Sequence, residues 1–493
     1  MNPEISRSMS ARRLAPSRWW PVLAVLAMLL CRSAIAQDDP KSTGDALPRH
    51  ALPGTPMTID VPPGFQPSSS FLGLLDAATQ SSIVVLELPA EAAKTVKDTD
   101  WRKDFEQRGV QVLGLEEQST EDGFGVLIRV SQPATPQQGE SECWFRIFGG
   151  ETSMWMLVAK TPKEGAAPRM SVLRAAVMSA RLDGSKSDDP FDGLPFRLKG
   201  LGGLEVLSRL PFGLVLTSDG EPDRTGAGKA VFFVTPLGEA FPRDFVNMAM
   251  TVELRARMTA QVADIEKVTV TEIEVDGLQG AEALVVGAHA TSGTPMTTAF
   301  TLLFDGATAW HLQGSVATAE AEAWLPTFRE ITSGFTRQRR SFRSPGEAYE
   351  LSVPGGWDRL ASADPDVEMQ LGYGWGACFV ACFTDPTNAP ADTPIAEYGR
   401  IVRDYYAGAS EEESVGVTVK STSEKTLGGR PALEYVLHRQ ADALAQVVTV
   451  IDGGDTYYRL VGWAPDWAYE RHPSCLHEVI DTFELVKPPS ESK

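Results

Sequence analysis

The sequence lacks any complete catalytic or nucleotide-binding signature. No Gly-x-Ser-x-Gly elbow occurs, which removes the most readable serine-hydrolase nucleophile. Gly226-Ala227-Gly228-Lys229 has neither the leading glycine nor the following Ser/Thr of a phosphate-binding loop. Gly372-x-Gly374-x-Gly376 precedes an apolar strand-like run rather than a helix, so it offers no helix N-terminus to a phosphate and reads as a turn. Positive charge is also scarce. Lys and Arg number 45 against 65 Asp and Glu, a net charge of −20. Such a chain repels nucleic-acid phosphates and anionic lipid heads, and charge would recruit only cations or basic surfaces.

Long hydrophobic runs are missing as well. The apolar run from Pro21 to Leu30 is too short to span a bilayer comfortably. It follows Arg12, Arg13 and Arg18 and precedes Ala34-Ile35-Ala36, the pattern of a secretion signal cleaved after Ala36. Leu30 immediately before Cys31 argues against lipidation, which wants a small residue there. Residues 1–36 are therefore expected to be removed. That moves the net charge from −20 to −24 and places the protein in the periplasm or outside the cell. Four of the five cysteines remain: Cys143, Cys378, Cys382 and Cys475. Cys378 and Cys382 lie four apart on an apparent strand, about 13 Å, too far to bond each other. Either could reach Cys475 on the last helix, or all four could stay buried thiols.

What the sequence does contain is repetition. Gly306, Trp310, Leu312, Gly314, Phe328 and Phe335 return 148 residues later as Gly454, Tyr458, Leu460, Gly462, Leu476 and Phe483. At an offset of 155, Trp155, Leu157, Ala159, Leu173, Ala176 and Ala180 precede the same pattern. An aromatic-x-Leu-x-small strand feeding an amphipathic helix is thus one supersecondary unit made three times. The expected organisation is a leader over 37–51, repeats over 52–183, 195–338 and 339–487, a linker over 184–194 and a tail over 488–493. Hairpin signals at Gly149-Gly150, Asp305-Gly306 and Gly453-Gly454 predict mainly antiparallel sheets with packed helices, an α+β fold. In the second repeat a helix is expected over 244–258. The closing helix should bury Trp324, Phe328, Ile331 and Phe335. In the third, Thr393 and Pro394 open a helix expected to bury Ile395, Tyr398, Val402 and Tyr405. Gly428-Gly429 is expected to correspond to Gly280-Ala281, and the last helix to run from His472 to Phe483.

This element order begins with a strand ending in Val353-Pro354-x-x-Trp357, or Val61-Pro62-x-x-Phe65 in the first repeat. It resembles the PsbP/DcrB-like superfamily, small α-β-α sandwiches, here in three tandem copies. The second repeat departs from the pattern by lacking the Val-Pro-x-x-aromatic turn. Members of that superfamily include extrinsic photosystem subunits, exported lipoproteins and secretion chaperones. The resemblance implies a non-enzymatic binding or assembly module.

Candidate chemistry is thin. His472, Cys475, His477 and Asp481 form the densest polar group, yet one helix presents only two of them per face, short of the three or four ligands zinc needs. No metal or cofactor is expected. His438 with Glu434, and His289 with Glu282, sit on strands without a nucleophile to serve. Glu411-Glu412-Glu413 reads as a solvated loop. Trp155, Trp310 and Tyr458 recur at one strand position, as core packing does. Tyr457, Trp463 and Trp467 are the candidate binding residues, exposed around a groove for a protein or peptide. The expected function is an exported, non-catalytic protein that binds another protein or peptide in the cell envelope. The alternatives are a small-ligand carrier with a dry pocket between sheet and helices, or a hydrolase with a non-standard site at a domain junction.

Overall fold

The computed structural model describes residues 49–88, 96–120, 123–134, 139–150, 154–182, 187, 189–223, 228–237, 248–258, 262–290, 292–306, 308–362, 364–373, 378–385, 393–408 and 416–486. The expected signal segment, Gly226-Ala227, residues 244–247, Gly374, Gly376, Glu411 to Glu413 and the tail lie outside them.

Each repeat builds one seven-stranded antiparallel sheet. In the first, β1 (Arg49–Ala51) and β2 (Thr58–Asp60) pair outside the main sheet. The sheet itself uses β3 (Gln66–Pro67), β4 (Gly73–Asp76), β5 (Ser81–Leu88), β6 (Gln111–Thr120), β7 (Gly123–Gln132), β8 (Ser141–Gly149) and β9 (Met154–Pro162), in the order β3-β4-β5-β9-β8-β7-β6. Helix α1 (Trp101–Gln107) precedes β6, and α2 (Ala166–Ser179) closes the module. The second module repeats this plan. Its strands are β10 (Phe196–Leu198), β11 (Glu205–Arg209), β12 (Leu214–Thr217), β13 (Val231–Leu237), β14 (Val262–Val275), β15 (Leu278–His289), β16 (Pro295–Asp305), β17 (Thr308–Ala317) and β18 (Phe335–Arg337), with helices α3 (Met248–Arg257) and α4 (Ala321–Ser333). The third has β19 (Arg339–Arg343), β20 (Tyr349–Pro354), β21 (Trp357–Leu360), β22 (Met369–Tyr373), β23 (Phe379–Asp385), β24 (Val417–Leu427), β25 (Arg430–Arg439), β26 (Leu444–Asp452), β27 (Tyr457–Pro465) and β28 (Glu484–Leu485). Its helices are α5 (Ile395–Tyr406), α6 (Asp466–Arg471) and α7 (Ser474–Ile480). Sheet orders β11-β12-β13-β17-β16-β15-β14 and β21-β22-β23-β27-β26-β25-β24 match the first.

The repeated signature occupies the strand that the rest of each sheet is laid against. Trp155, Trp310 and Tyr458 are buried at the same register of β9, β17 and β27. The closing helix lies over this strand, and the small residue lets it approach. A Cβ on Gly314 would sit 2.3 Å from the Phe328 ring, and one on Gly462 would sit 3.1 Å from Leu476. The first helix covers the opposite face of the outer half-sheet. Val252 and Ala256 of α3 pack on Ala283, Phe300 and Leu302, while Phe328 and Ile331 of α4 pack on the other face with Trp310 and Leu312. The result is helix, sheet, helix in each module. A short strand after the closing helix then returns to the module's own start: Arg181 bridges Thr58, β18 pairs β10, and β28 pairs β20.

Several local expectations shift. Phe335 is buried but starts β18, because α4 ends at Ser333 with Gly334 as its cap; Trp324 is only half-buried. On α5 it is Tyr406 that packs inward beside Tyr398 and Val402, whereas Tyr405 is 74% exposed. The pattern 395, 398, 402, 406 holds one face of a 3.6-residue helix, and Tyr405 falls off it. The last helix, expected from His472 to Phe483, is α7 over Ser474–Ile480; a further short helix, α6, precedes it and ends before Pro473, where proline cannot continue the backbone bonding. The true counterpart of Gly428-Gly429 is the Asp276-Gly277 turn, since Gly280 lies inside β15 opposite Leu303 just as Ala432 lies opposite Ile451. The offset there is 152, because the β25–β26 hairpin is four residues shorter than β15–β16.

Module one packs on modules two and three through the first-edge strands, and modules two and three pack on each other at a separate junction. Modules one and three meet at Asp358 of β21, a buried carboxylate that accepts from the Ser68 (2.9 Å), Ser69 (2.7 Å) and Ser70 (2.7 Å) hydroxyls and the Ser69 amide (2.9 Å). Modules one and two meet through Phe71 against Phe212, 6.0 Å between rings, and the Leu72 amide donates to Pro211 O at 2.7 Å. Modules two and three share a buried ionic knot. Arg337 bonds Asp276 (2.9 Å), Asp305 (3.2 Å) and Glu478 (2.9 Å), and Asp305 also accepts from Trp310 and Tyr373, each at 3.1 Å.

Candidate binding surface

Tyr457 and Trp463 lie on one face of β27, six residues or about 20 Å apart. Both are half-buried against the cluster beneath α5. Tyr457 stacks on Tyr398 with ring centroids 4.3 Å apart and planes 11° apart, and its hydroxyl donates to Thr393 O at 2.6 Å. Trp467 is half-buried on α6, beyond the end of that strand. The fold thus joins Tyr457 and Trp463 through α5 and leaves Trp467 on a separate element.

The polar group of the last helices divides in two. His472 turns to the module junction, with Nε2 3.2 Å from Glu478 Oε1. His477 and Asp481 turn to the sheet, where Glu434 of β25 completes a trio whose ligand atoms lie within 4.8 Å of one another. Sequence reasoning missed Glu434 as a partner because it stands 43 residues before His477 with no shared period. The trio has the donors of a metal site, but an ammonium group already stands among them. Lys425 of β24 bonds Glu434 and is 2.5 Å from Asp481. Burial pushes the Glu434 carboxyl up, yet the hydrogen bonds from His477 and Lys425 prevail and hold it at about 2.

The other modules explain the arrangement. Leu127, Glu282 and Glu434 stand at one sheet position, opposite Arg146, Thr301 and Thr449. In module one Arg146 donates to Val177 O and Ala180 O at the end of α2 (2.5 and 3.0 Å). In module two Arg329 of α4 bonds Glu282 at 2.7 Å. A cation fastening the closing helix to the sheet is therefore common to all three. His438 and His289 do not contact Glu434 and Glu282, from which they stand four and seven residues along their strands. His438 pairs with Asp466, and His289 accepts from the Ser292 amide at 3.2 Å.

Two cavities of about 280 Å3 open at the module junctions rather than between sheet and helices. One lies beside Asp76, Asp358 and Arg359, the other beside Ser69, Asp192 and Arg340. Their carboxylates already have partners. Asp358 holds the three serines, Asp76 accepts from the Ala78 amide at 3.1 Å, and Asp192 accepts from the Gly54 amide at 2.9 Å.

Exposed apolar side chains concentrate elsewhere, in one structural region used three times. Met250 (65% exposed), Leu254 (48%) and Met258 (69%) recur at four-residue spacing along α3 and its end. Ile401 and Tyr405 do the same on the equivalent α5. Leu113 and Leu115 lie on β6, and Val419 on β24. All are on the first helix or the outer edge strand of a module. Each outer strand also carries a bulge near its start, at Val112/Gly114, Ala263/Lys267 and Val419/Ser421. Bulges of this kind discourage indiscriminate edge pairing while leaving the edge open to a chosen partner. This helix-and-edge rim was not legible in the sequence, where its residues look like ordinary core positions. Among the described residues no helix is long and apolar enough to cross a membrane.

Fold and surface define a protein of three tandem α+β modules, each an antiparallel sheet between helices, with apolar outer rims. No family model matches the chain, and no curated protein does. Solved structures are similar to parts of it. The solution structure of cyanobacterial PsbP from Synechocystis sp. PCC 6803 is similar over 30% of this chain and 92% of its own, at 11% identity and a TM-score of 0.25. The apo immunity protein TplEi of the T6SS from Pseudomonas aeruginosa is similar over 59% of this chain and 96% of its own, at 11% identity and a TM-score of 0.24. The same immunity protein complexed with "L" peptide gives 59%, 97%, 12% and 0.23.

Proposed function

We propose that this is an exported, non-catalytic binding protein whose outer rims take up an apolar, basic segment of another protein in the cell envelope. The observation that carries the reading is that, among the described residues, the exposed large apolar side chains lie on or at the end of the first helix, or on the outer edge strand, of the modules. Such side chains scattered singly need no explanation, whereas a stripe repeated at equivalent positions is what a docking surface requires. A net charge of −20 favours a basic partner, and exposed Asp264, Glu266, Glu272 and Glu274 on β14 flank α3 with that charge locally. Tyr457 and Trp463 belong to this reading as the floor beneath α5, and Trp467 as a flanking contact.

The test is affinity capture from native envelope extract, comparing the wild-type protein with Leu254→Ser/Tyr405→Ser. A partner retained by the wild type, lost by the variant and weakened by salt is the expected result, at unchanged thermal stability. If both proteins retain the same species equally, or neither retains any, the rim is not the binding surface.

A further inference from the structure

The cysteines of the third module are unequally placed, and the difference selects one pair. All four described cysteines are buried thiols. Cys378 immediately precedes β23 and accepts at its carbonyl from the Tyr373 amide at 3.0 Å. Cys475 sits in the first turn of α7, its amide donating to His472 O at 3.0 Å. Tyr373 and His472 both face Asp305, at 3.1 and 3.9 Å, so both cysteines belong to segments that meet at this junction carboxylate. Helix α7 packs on β23, and Cys378 is the neighbour that most perturbs the Cys475 thiol. The seam with module two runs directly over them. A Cβ on Gly306, in the β16–β17 turn, would lie 3.2 Å from Cys378 Sγ. Cys382 stands four residues further along the strand, about 13 Å away.

We propose that Cys378 and Cys475 form a disulfide that fastens α7 to β23 beneath the turn from module two, and that Cys382 and Cys143 remain thiols. The oxidant is a disulfide donor of the thiol-exchange class. One cysteine thiolate attacks the donor disulfide and releases one donor thiol. The second cysteine then displaces the other donor half as a thiol, so one disulfide and two protein thiols become one protein disulfide and two donor thiols. The neighbouring Cys378 sulfur and burial both raise the Cys475 thiol, which disfavours the attacking thiolate once the module has closed. The bond therefore forms during folding.

The mature chain, from Gln37 onward, is unfolded in denaturant with reductant, then refolded with and without a buffer of reduced and oxidised glutathione. Free thiols are blocked, and chymotryptic peptides are mapped by mass spectrometry. Cleavage after Phe379 separates Cys378 from Cys382, which a tryptic peptide would keep together. The expected result is a linked Cys378–Cys475 pair in the glutathione sample, Cys143 and Cys382 blocked, and an unfolding midpoint above that of the reduced sample. Added reductant should return that midpoint to the reduced value. Four blocked cysteines after refolding in glutathione, or a predominant link to Cys382 or Cys143, would overturn the assignment. No variant is needed, so a failure of a mutant to fold cannot obscure the outcome.

Discussion

At Gly314 the closing helix of module two comes down on bare backbone. The Phe328 ring lies where a side chain would begin, 2.3 Å from the position of a Cβ. Both groups are in rigid elements, so neither can yield cheaply. Gly314→Val should therefore cost about 2–3 kcal/mol by overpacking. The corresponding Ala159→Gly in module one, where a methyl group is already accommodated, should cost about 1 kcal/mol or less. Urea unfolding of the two variants decides between them, and equal losses would mean that the small residue is incidental. Glu434 makes a second prediction at this scale. Its carboxyl is held at about 2 against an ordinary 4.5, because the favourable bonds from His477 and Lys425 outweigh the cost of burial. A depressed folded-state value contributes stability above the unfolded value and loses it as the folded-state group is protonated. Stability on the order of 2–3 kcal/mol should thus disappear between about pH 4.5 and 2. Glu478, also held below its ordinary value, adds in the same direction. In Glu434→Gln the fall over that range should be shallower in a pH series of denaturant midpoints; an unchanged slope would refute the assignment.

At the scale of the element, phase decides which of two adjacent tyrosines matters. Tyr406 packs with Tyr398 and Val402 and lies 5.7 Å from the Arg459 guanidinium, while Tyr405 faces solvent. Tyr406→Ala should lose about 2 kcal/mol, and Tyr405→Ala should stay within about 0.5 kcal/mol. Comparable losses in urea midpoints would show that α5 is rotated from this description. The same helix shows how far sequence reasoning reached. Its apolar spacing located the element, but Tyr405 and Tyr406 compete for one position and only packing resolves them. The aromatic-x-Leu-x-small signature was readable because it encodes contacts within some 25 residues, strand to helix, and those recur in every copy. The Glu434–Lys425–His477 cluster and the rim were not readable. The first joins residues from three elements with no common period, and the second depends on which apolar residues are left uncovered. The four-residue error at Gly428-Gly429 has the same origin, since hairpin length changes register without changing the hydrophobic pattern.

At the scale of the molecule, the three modules are tied pairwise by junctions of different chemistry, and that makes their coupling testable. The Asp358 junction is a carboxylate surrounded by hydroxyls and an amide. Asp358→Ala leaves the Ser68 hydroxyl and the Ser69 amide without their acceptor, while the Ser69 and Ser70 hydroxyls keep Trp357 O and Gly356 O; the penalty is about 1–3 kcal/mol per unsatisfied group before local repair. Two other junctions still hold modules one and three to module two, so the chain should remain folded while its cooperativity falls. Arg337 is different. Its removal leaves Asp276, Asp305 and Glu478 facing one another with the buried countercharge gone, and breaking such a set costs about 3–5 kcal/mol. The distinguishing measurement is differential scanning calorimetry. With all three junctions intact, the modules should melt in one transition. Asp358→Ala should broaden it or release a separate low-temperature component from module one, whereas Arg337→Leu should lower the transition of modules two and three together. If the wild type already melts in three independent steps, these contacts do not couple the modules. The rims would then act as separate binding units rather than as surfaces held in fixed relation by a common centre.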